Sequence, residues 1–294
     1  MSLEIKQNEP LSKHTTFAIG GPAKYFAVAK TKEEVLEAVG FAEGKKLPFF
    51  LLGGGSNILI SDGGYDGLII KIQIGGIKIN EDMITAGAGV FLSQLVNESA
   101  NNGLSGLEWA AGIPGTIGGA VNGNAGAYGR SISESAREIV VLAESGGEWK
   151  EKKYSNKECG FEYRKSKFKH LVNREIILEV VFNLQKSDTE KIRGEIRNTI
   201  LQRKGKIPAH PSAGCVFKNI KKDGQLVAAV GKLVEECGLK GVKSGNAEIP
   251  YLHGNYVVNL GGAKAEDVLK LIKLCKQKVK DRFNLELEEE IIVM

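Results

Sequence analysis

Glycine is the feature that most restricts what this chain can fold into. The sequence holds 37 glycines in 294 residues, roughly twice the usual share, and they are densest in GGGSN (Gly53 to Asn57) and GIPGTIGGAVNGNAGAYG (Gly112 to Gly129). Each stretch follows an apolar run. Without a Cβ, successive backbone N–H groups can close on a diphosphate and form an anion-binding concavity. Neither stretch contains the GK[ST] of a P-loop, and GAGVFL (Gly87 to Leu92) lacks the third glycine of a dinucleotide fingerprint. A nucleoside triphosphatase and a standard Rossmann domain are therefore disfavoured. Tight turns in a strand-rich domain also need glycine, and that plainer reading stays open at this point.

The elements around the glycines alternate without regular βαβ spacing. Tyr25 to Lys30 reads as a strand, and Thr31 with Glu34 forms a capping box that opens a helix to about Gly44. Leu47 to Leu52 is a short apolar strand that stops at Gly53, and Asn57 to Ile60 and Gly67 to Ile72 are further strands. Leu92, Leu95, Val96 and Ser99 share one helical face, with Gly103 as the stop. Glu138 to Tyr154 reads as a hairpin turned at Ser145-Gly146-Gly147, and Arg174 to Leu184 as a long strand. Ser187 and Glu190 form a second capping box, and Ile192, Ile196 and Ile200 predict a helix to about Lys204.

Pro208 and Pro211 then mark a turn system. The length predicts about two domains, and the boundary falls near Gly205: residues 1–204, with a subdivision near 75–85, and residues 205–294. Beyond it the sequence predicts a strand at Cys215 to Asn219, a helix from about Gln225 to Cys237, and a strand at Asn255 to Asn259. An amphipathic helix from Ala265 to Phe283 and a last strand ending at Met294 complete an α+β unit.

Composition excludes several function classes. A net charge of +5 with acids and bases interspersed lacks the basic stripe of a nucleic-acid binder. Cys159, Cys215, Cys237 and Cys275 form no CxxC pair and have no metal-ligand spacing with the four histidines, so reduced thiols and no metal are expected. The start MSLEIKQNEP has no signal-peptide pattern and no apolar run reaches about 18 residues, which predicts a soluble cytoplasmic protein with no membrane partner.

GGGSNIL followed by GLSGLEWAAGIPGTIGGAVNGNAGAYG resembles the flavin domain of the bacterial UDP-N-acetylenolpyruvoylglucosamine reductases. The resemblance continues in family order through FEYRKSKFK, KIPAHPSAGCVFKN, LVEECGLKGVKSGNAEIPYLHGNYVVNLGGAKAEDV and LELEEE, from about His14 to Ile291. It implies an α+β fold, with an FAD-binding domain of the vanillyl-alcohol-oxidase type and a smaller α+β substrate domain. The ligand is implied by the resemblance alone. Gly53, Gly54, Gly55, Ser56 and Asn57 would line the pyrophosphate of a non-covalent FAD. Gly112, Ile113, Pro114, Gly115, Thr116, Gly118 and Gly119 would wrap the rest. His14 could suggest a covalent flavin link, but reads as a lone surface histidine.

The implied reaction belongs to peptidoglycan precursor synthesis. NADPH reduces FAD, and the flavin passes hydride to the enolpyruvyl group of UDP-N-acetylglucosamine enolpyruvate, giving UDP-N-acetylmuramate. Electron density then builds on the carboxylate-bearing carbon, which calls for fixed positive charge at the carboxylate and for one acid. By the resemblance, Arg164 supplies the charge as a forked guanidinium. Cys215 stands where the family pattern most often has serine, the proton donor; a thiol ordinarily titrates near pH 8.5, so it is more acidic than a hydroxyl. Glu290 is selected from three successive glutamates by the pattern L-E-x-E, whereas strand alternation alone cannot separate it from Glu288. Tyr163, Lys206 and Asn219 match substrate-contacting positions, Tyr163 reading as a packing residue.

There is room for only one strand and one helix between Arg164 and Lys206, which matches the shorter family type, without the loop that carries a tyrosine over the substrate. A flavin oxidase of the same fold, or a nucleotide-sugar-binding protein without catalysis, are the alternative readings. The partners expected are NADPH and the UDP-sugar, with the chain a monomer.

Overall fold

In the computed structural model, which describes residues 3–169, 175–222 and 225–294, the chain divides by its packing into two units. The first comprises Met1–Ile5, Ala27–Gly54 and Ile69–Arg203; the second comprises Lys6–Phe26, Gly55–Leu68 and Lys204–Met294.

The first unit is organised by a five-stranded antiparallel sheet. Its strand order is Glu148–Ser155, Ala136–Ser145, Glu175–Asn183, Met83–Gly87 and Ile77–Asn80. The hairpin forms at the expected place, with Ser145 opposite Glu148. Gly146 and Gly147 both have positive φ, 63° and 81°, the pair that a two-residue hairpin turn compatible with strand twist requires. Ile139, Val141 and Leu142 are buried, while the edge strand EWKEKKYS buries only Tyr154. Its charges blunt an edge that would otherwise offer unpaired backbone to another chain. The long strand runs Glu175–Asn183; Arg174, where it was expected to begin, lies outside the described residues.

Two helices of this unit, Lys32–Gly44 and Thr189–Arg203, start where side chains satisfy their first N–H groups. Thr31 Oγ1 accepts from the Glu34 N–H (3.2 Å), and Glu34 in turn accepts from the Lys30 N–H, so Lys32–Gly44 is helical. Leu92–Asn101 buries the expected face of Leu92, Leu95, Val96 and Ser99. The helix expected from Ser187 runs instead Thr189–Arg203. The Ser187 N–H donates to Gly103 O (2.8 Å), and the start is set by Asp188, whose Oδ1 accepts from the Lys191 N–H (2.9 Å). Of the isoleucine row only Ile192 is buried, and Ile200 is 50% exposed, because residues four apart drift by about 40° around a helix of 3.6 residues per turn. Asp188→Ala is expected to destabilise the protein by about 1 kcal/mol, the usual worth of such a cap. In denaturant melts it should exceed Ser187→Ala.

The second unit folds on the helix Ala265–Phe283, whose buried residues Ala265, Val268, Leu271, Ile272, Cys275 and Val279 follow helical spacing. Its first N–H groups are met from far away in sequence: Asp62 accepts from Ala265 (2.9 Å) and Glu266 (3.2 Å). Against this helix pack Val216, Phe217, Val230, Val234, Leu287 and Ile291. The final strand Ile292–Val293 pairs in parallel with Ile58–Leu59.

Three expectations are corrected here. Gln225–Ala228 is a strand paired with Ile220–Lys222, and the helix is only Val230–Glu236. Asn219 Oδ1 accepts from the Val230 N–H (3.0 Å) and fixes that later start; Leu226 and Val227, on the strand instead, are 59% and 58% exposed. Cys215–Asn219 is not a continuous strand but makes isolated bridges, Cys215 to Tyr256 and Phe217 to Glu289. The strand expected at Asn255 to Asn259 shrinks to Val258–Asn259. Among the described residues no helix is long and apolar enough to cross a membrane.

Candidate active site

The two glycine stretches meet in the first unit. A Cβ on Gly53 would stand 2.6 Å from Thr116 Oγ1, and one on Gly54 would stand 3.0 Å from Gly115 Cα. The loops therefore touch, backbone to backbone at Gly54, and a larger residue at either position would push them apart. The second stretch is held open by pairing with the segment before it: Leu92 N–H donates to Gly115 O (3.0 Å), Ile117 to Val90 (2.9 Å) and Gly118 to Ala88 (2.9 Å). A Cβ on Gly118 would approach Ala88 Cβ to 3.0 Å. Gly112 and Gly115 have φ of 79° and 121°, conformations that side chains resist. Ile113 donates to Ala110 O (3.0 Å), and Pro114 follows it into the loop. Thr116 caps the helix Ile117–Asn122, its Oγ1 accepting from Gly119 N–H.

Arg164 is fastened to this same stretch. Residues 162–165 form a two-residue hairpin, with Glu162 and Lys165 exchanging backbone hydrogen bonds of 3.1 Å. Arg164 sits at its tip with φ +56°, a left-handed conformation more often filled by glycine. Its Nη2 donates to Gly126 O (2.9 Å), and its guanidinium lies 5.2 Å from the Tyr163 ring centroid. Two further bonds lash the segment down: Ser166 Oγ donates to Asn122 O (2.7 Å), and Asn124 Nδ2 donates to Glu162 O (2.8 Å). The arginine is thus presented by the glycine-rich stretch itself, from a strained position of the sort that concentrates at functional sites.

Arg203 was not singled out from the sequence. It ends its helix with Nη2 donating to Trp109 O (3.3 Å) and the guanidinium 5.3 Å from the Tyr128 ring centroid. A Cβ on Gly112 would stand 3.2 Å from its Cδ. Among the described residues its buried Nε has no hydrogen-bond partner, nor has Oε1 of buried Glu108 beside Trp109. An unmet buried donor beside Gly112 fits a polar ligand bound against that loop. The only sequence signal for Arg203 was its place two residues before Gly205.

The first stretch crosses the division between the units after Gly54. Gly55 (φ +66°) has no room for a Cβ, which would strike the His14 carbonyl oxygen. Ser56 follows, and Asn57 reaches the last strand: its Nδ2 donates to Glu290 O (3.1 Å), and its carbonyl accepts from the Ile292 N–H (3.0 Å). His14 is no lone surface residue; its ring is paired with Glu9 (3.0 Å) and stacked 4.3 Å from Phe26.

Within the second unit, Cys215, Asn219 and Glu290 are gathered on adjoining segments. The Glu290 N–H donates to Val216 O (2.8 Å), and the Lys218 N–H donates to Glu288 O (2.9 Å). Residues 288–290 form no strand, only the isolated bridge of Glu289 to Phe217. Glu289 lies between buried Leu287 and Ile291 and pairs with Lys276 (2.6 Å), while Glu288 is ion-paired with Lys218 and largely exposed. Glu290 Cα is held from two sides through its own N–H and C=O. Asn219 commits Oδ1 to the helix start, and Lys206 is exposed just beyond the helix Thr189–Arg203. Asn255, buried beneath Cys215, was missed because a single asparagine in an apolar run carries no motif.

Residues 23–145 match the FAD binding domain family, and residues 206–294 match the C-terminal domain of UDP-N-acetylenolpyruvoylglucosamine reductase. The UDP-N-acetylenolpyruvoylglucosamine reductase of Clostridium tetani (strain Massachusetts / E88) is 39% identical over 295 residues, covering 100% of this chain and 93% of its own. The crystal structure of UDP-N-acetylenolpyruvylglucosamine reductase from Thermus caldophilus superposes with a TM-score of 0.80 at 35% identity, over 100% of this chain and 99% of its own. Cholesterol oxidase from Brevibacterium sterolicum shares the fold over 63% of this chain and 38% of its own, with a TM-score of 0.50 at 16% identity.

Proposed function

The chain belongs to the UDP-N-acetylenolpyruvoylglucosamine reductase family, and from that membership we infer that it reduces the enolpyruvyl group of UDP-N-acetylglucosamine enolpyruvate with NADPH, using FAD. The observation that carries the reading is the abutment of the two glycine stretches with Arg164 mounted on the second. FAD, bound non-covalently and reduced by NADPH, supplies the hydride for the enolpyruvyl group.

The chain's own residues do the rest. Gly53 to Asn57 and Gly112, Ile113, Pro114, Gly115, Thr116, Gly118 and Gly119 would hold the cofactor; at Gly53, Gly54 and Gly118 the absence of a Cβ lets the neighbouring segments pack this closely. Arg203, with its unmet Nε, contributes beside Gly112. Arg164 holds the substrate carboxylate and balances the charge that gathers on the carboxylate-bearing carbon. The Cys215 Sγ gives its proton to that carbon, and Glu290, on the adjoining segment, is the second carboxyl that polarises the group or relays a proton. Tyr163, Lys206 and Asn219 orient the nucleotide sugar.

Residues 1–204 serve the flavin, with a subdivision near 75–85, and residues 205–294 serve the substrate. All the candidate residues stand on one chain, which we take to work as a monomer. A reaction that consumes NADPH and a UDP-sugar belongs in the cytoplasm.

The deciding experiment is spectroscopic. Purified protein should be yellow, bleach anaerobically with NADPH, and regain its colour on addition of UDP-N-acetylglucosamine enolpyruvate. A colourless protein overturns the reading, and fast reoxidation by oxygen with none by the enolpyruvyl substrate would favour an oxidase. Gly54→Val is expected to lower FAD retention about 10- to 100-fold, the equivalent of the roughly 1–3 kcal/mol that overpacking costs. Titration of the apoprotein with FAD measures it.

A further inference from the structure

We infer that Asn255 is a positioning residue for the Cys215 thiol: its side chain takes the place of a missing strand beside Phe217 and so holds the segment that carries Cys215 and Asn219. The inference rests on the reading of Cys215 as proton donor.

Residues 215–219 need partners for their backbone on both sides, because Val216 and Phe217 are each 2% exposed and buried N–H and C=O groups go unpaired at high cost. On one side the segment 288–290 supplies them. On the other, Asn255 does so. The Phe217 N–H donates to Asn255 Oδ1 (2.9 Å), and Asn255 Nδ2 donates to Phe217 O (2.8 Å). The Val216 N–H donates to the backbone carbonyl of Asn255 (2.8 Å). A side-chain amide carries a donor and an acceptor side by side, as a peptide does, so it can pair both groups of one residue. Asn255 is 3% exposed, which keeps water from competing for these bonds.

Asn255 is itself held. Its N–H donates to His253 Nδ1 (3.2 Å), and the His253 ring packs edge-on to Tyr256 at 4.9 Å. Tyr256 is the residue bridged to Cys215. Burial pushes His253 below its ordinary pKa, which keeps the ring neutral, as an accepting Nδ1 requires. Gly231 makes room for that ring, since a Cβ there would lie 3.1 Å from His253 Cε1. A chain of contacts therefore runs from the loop 253–256 to Cys215 and to the two residues that follow it.

Aspartate has the shape of asparagine but no donor. It can still accept from the Phe217 N–H, yet it sets a second acceptor against Phe217 O, and so it isolates one of the two bonds. Asn255→Asp and Asn255→Ala should leave flavin reduction by NADPH unchanged and slow reoxidation by the enolpyruvyl substrate about 10- to 100-fold, the effect expected of a small misplacement. The positioning role is separated from a merely structural one by a double-mutant cycle: in a Cys215→Ala background, Asn255→Asp should slow reoxidation by a much smaller factor than in the wild type. An equal slowing in both backgrounds, or none in either, overturns the inference. The rate of Cys215 alkylation by iodoacetamide, read by mass spectrometry, should also change in Asn255→Asp; an unchanged rate overturns the inference. If Cys215→Ala alone leaves reoxidation untouched, the proton-donor reading fails, and the alkylation rate still decides whether Asn255 sets the thiol.

Discussion

Cys215→Ala is expected to reduce its flavin with NADPH at the normal rate and to reoxidise it with the enolpyruvyl substrate about 10²- to 10⁴-fold more slowly, the usual contribution of a general acid. Cys215→Ser should keep the step, since a hydroxyl donates a proton from the same place. The asymmetry between half-reactions follows from chemistry: only the second leaves electron density on a carbon that must gain a proton.

The thiol also predicts a sensitivity that a serine version would lack. Burial pushes Cys159 and Cys275 up to about 12 and raises Cys237, so those thiols are poor nucleophiles near neutral pH. Cys215 is half-buried and should be the first alkylated, with loss of turnover and with protection by bound substrate. Stopped-flow traces in which Cys215→Ala changes neither half-reaction would sink the assignment, as would full modification of Cys215 without loss of turnover.

Arg164→Gly separates stability from activity. At φ +56° the arginine backbone carries a strain of about 1 kcal/mol that glycine relieves, while the hydrogen bond to Gly126 O is lost at about 1 kcal/mol. The melting temperature should therefore barely move. Activity should fall about 10²- to 10³-fold, because a positive group aimed at developing charge is removed, and the loss should appear in reoxidation rather than in reduction by NADPH. Arg164→Lys should recover only part, since an ammonium keeps the charge but not the fork. Near-normal turnover in Arg164→Gly would remove Arg164 from the mechanism.

Much of the fold was legible because it is written in local signals. Thr31 and Glu34 cap a helix by themselves, Gly146-Gly147 turn a hairpin by their own φ values, and the apolar spacing of Ala265 to Phe283 matches the observed helix to the residue. The errors fell where a distant group overrode a local one. Asn219 reaches eleven positions along the chain to start the helix at Val230, and Asp188 takes the cap that Ser187 was expected to hold, because Gly103 claims the Ser187 N–H.

The candidate site shows the same division. The residue types are legible in one dimension: two glycine-dense stretches, an arginine after a tyrosine, a cysteine in a serine's place and a run of three glutamates. These are one-dimensional patterns, and a family resemblance can read them. Tertiary structure alone decided that Glu289 pairs with Lys276, that Gly54 meets Gly115 backbone to backbone, and that Asn255 and Asn57 hold the Cys215 and Glu290 segments. The physical reason is that a hydrogen bond or a close backbone approach depends on two residues at once. When the partners lie tens or hundreds of positions apart, neither one's neighbourhood records the other.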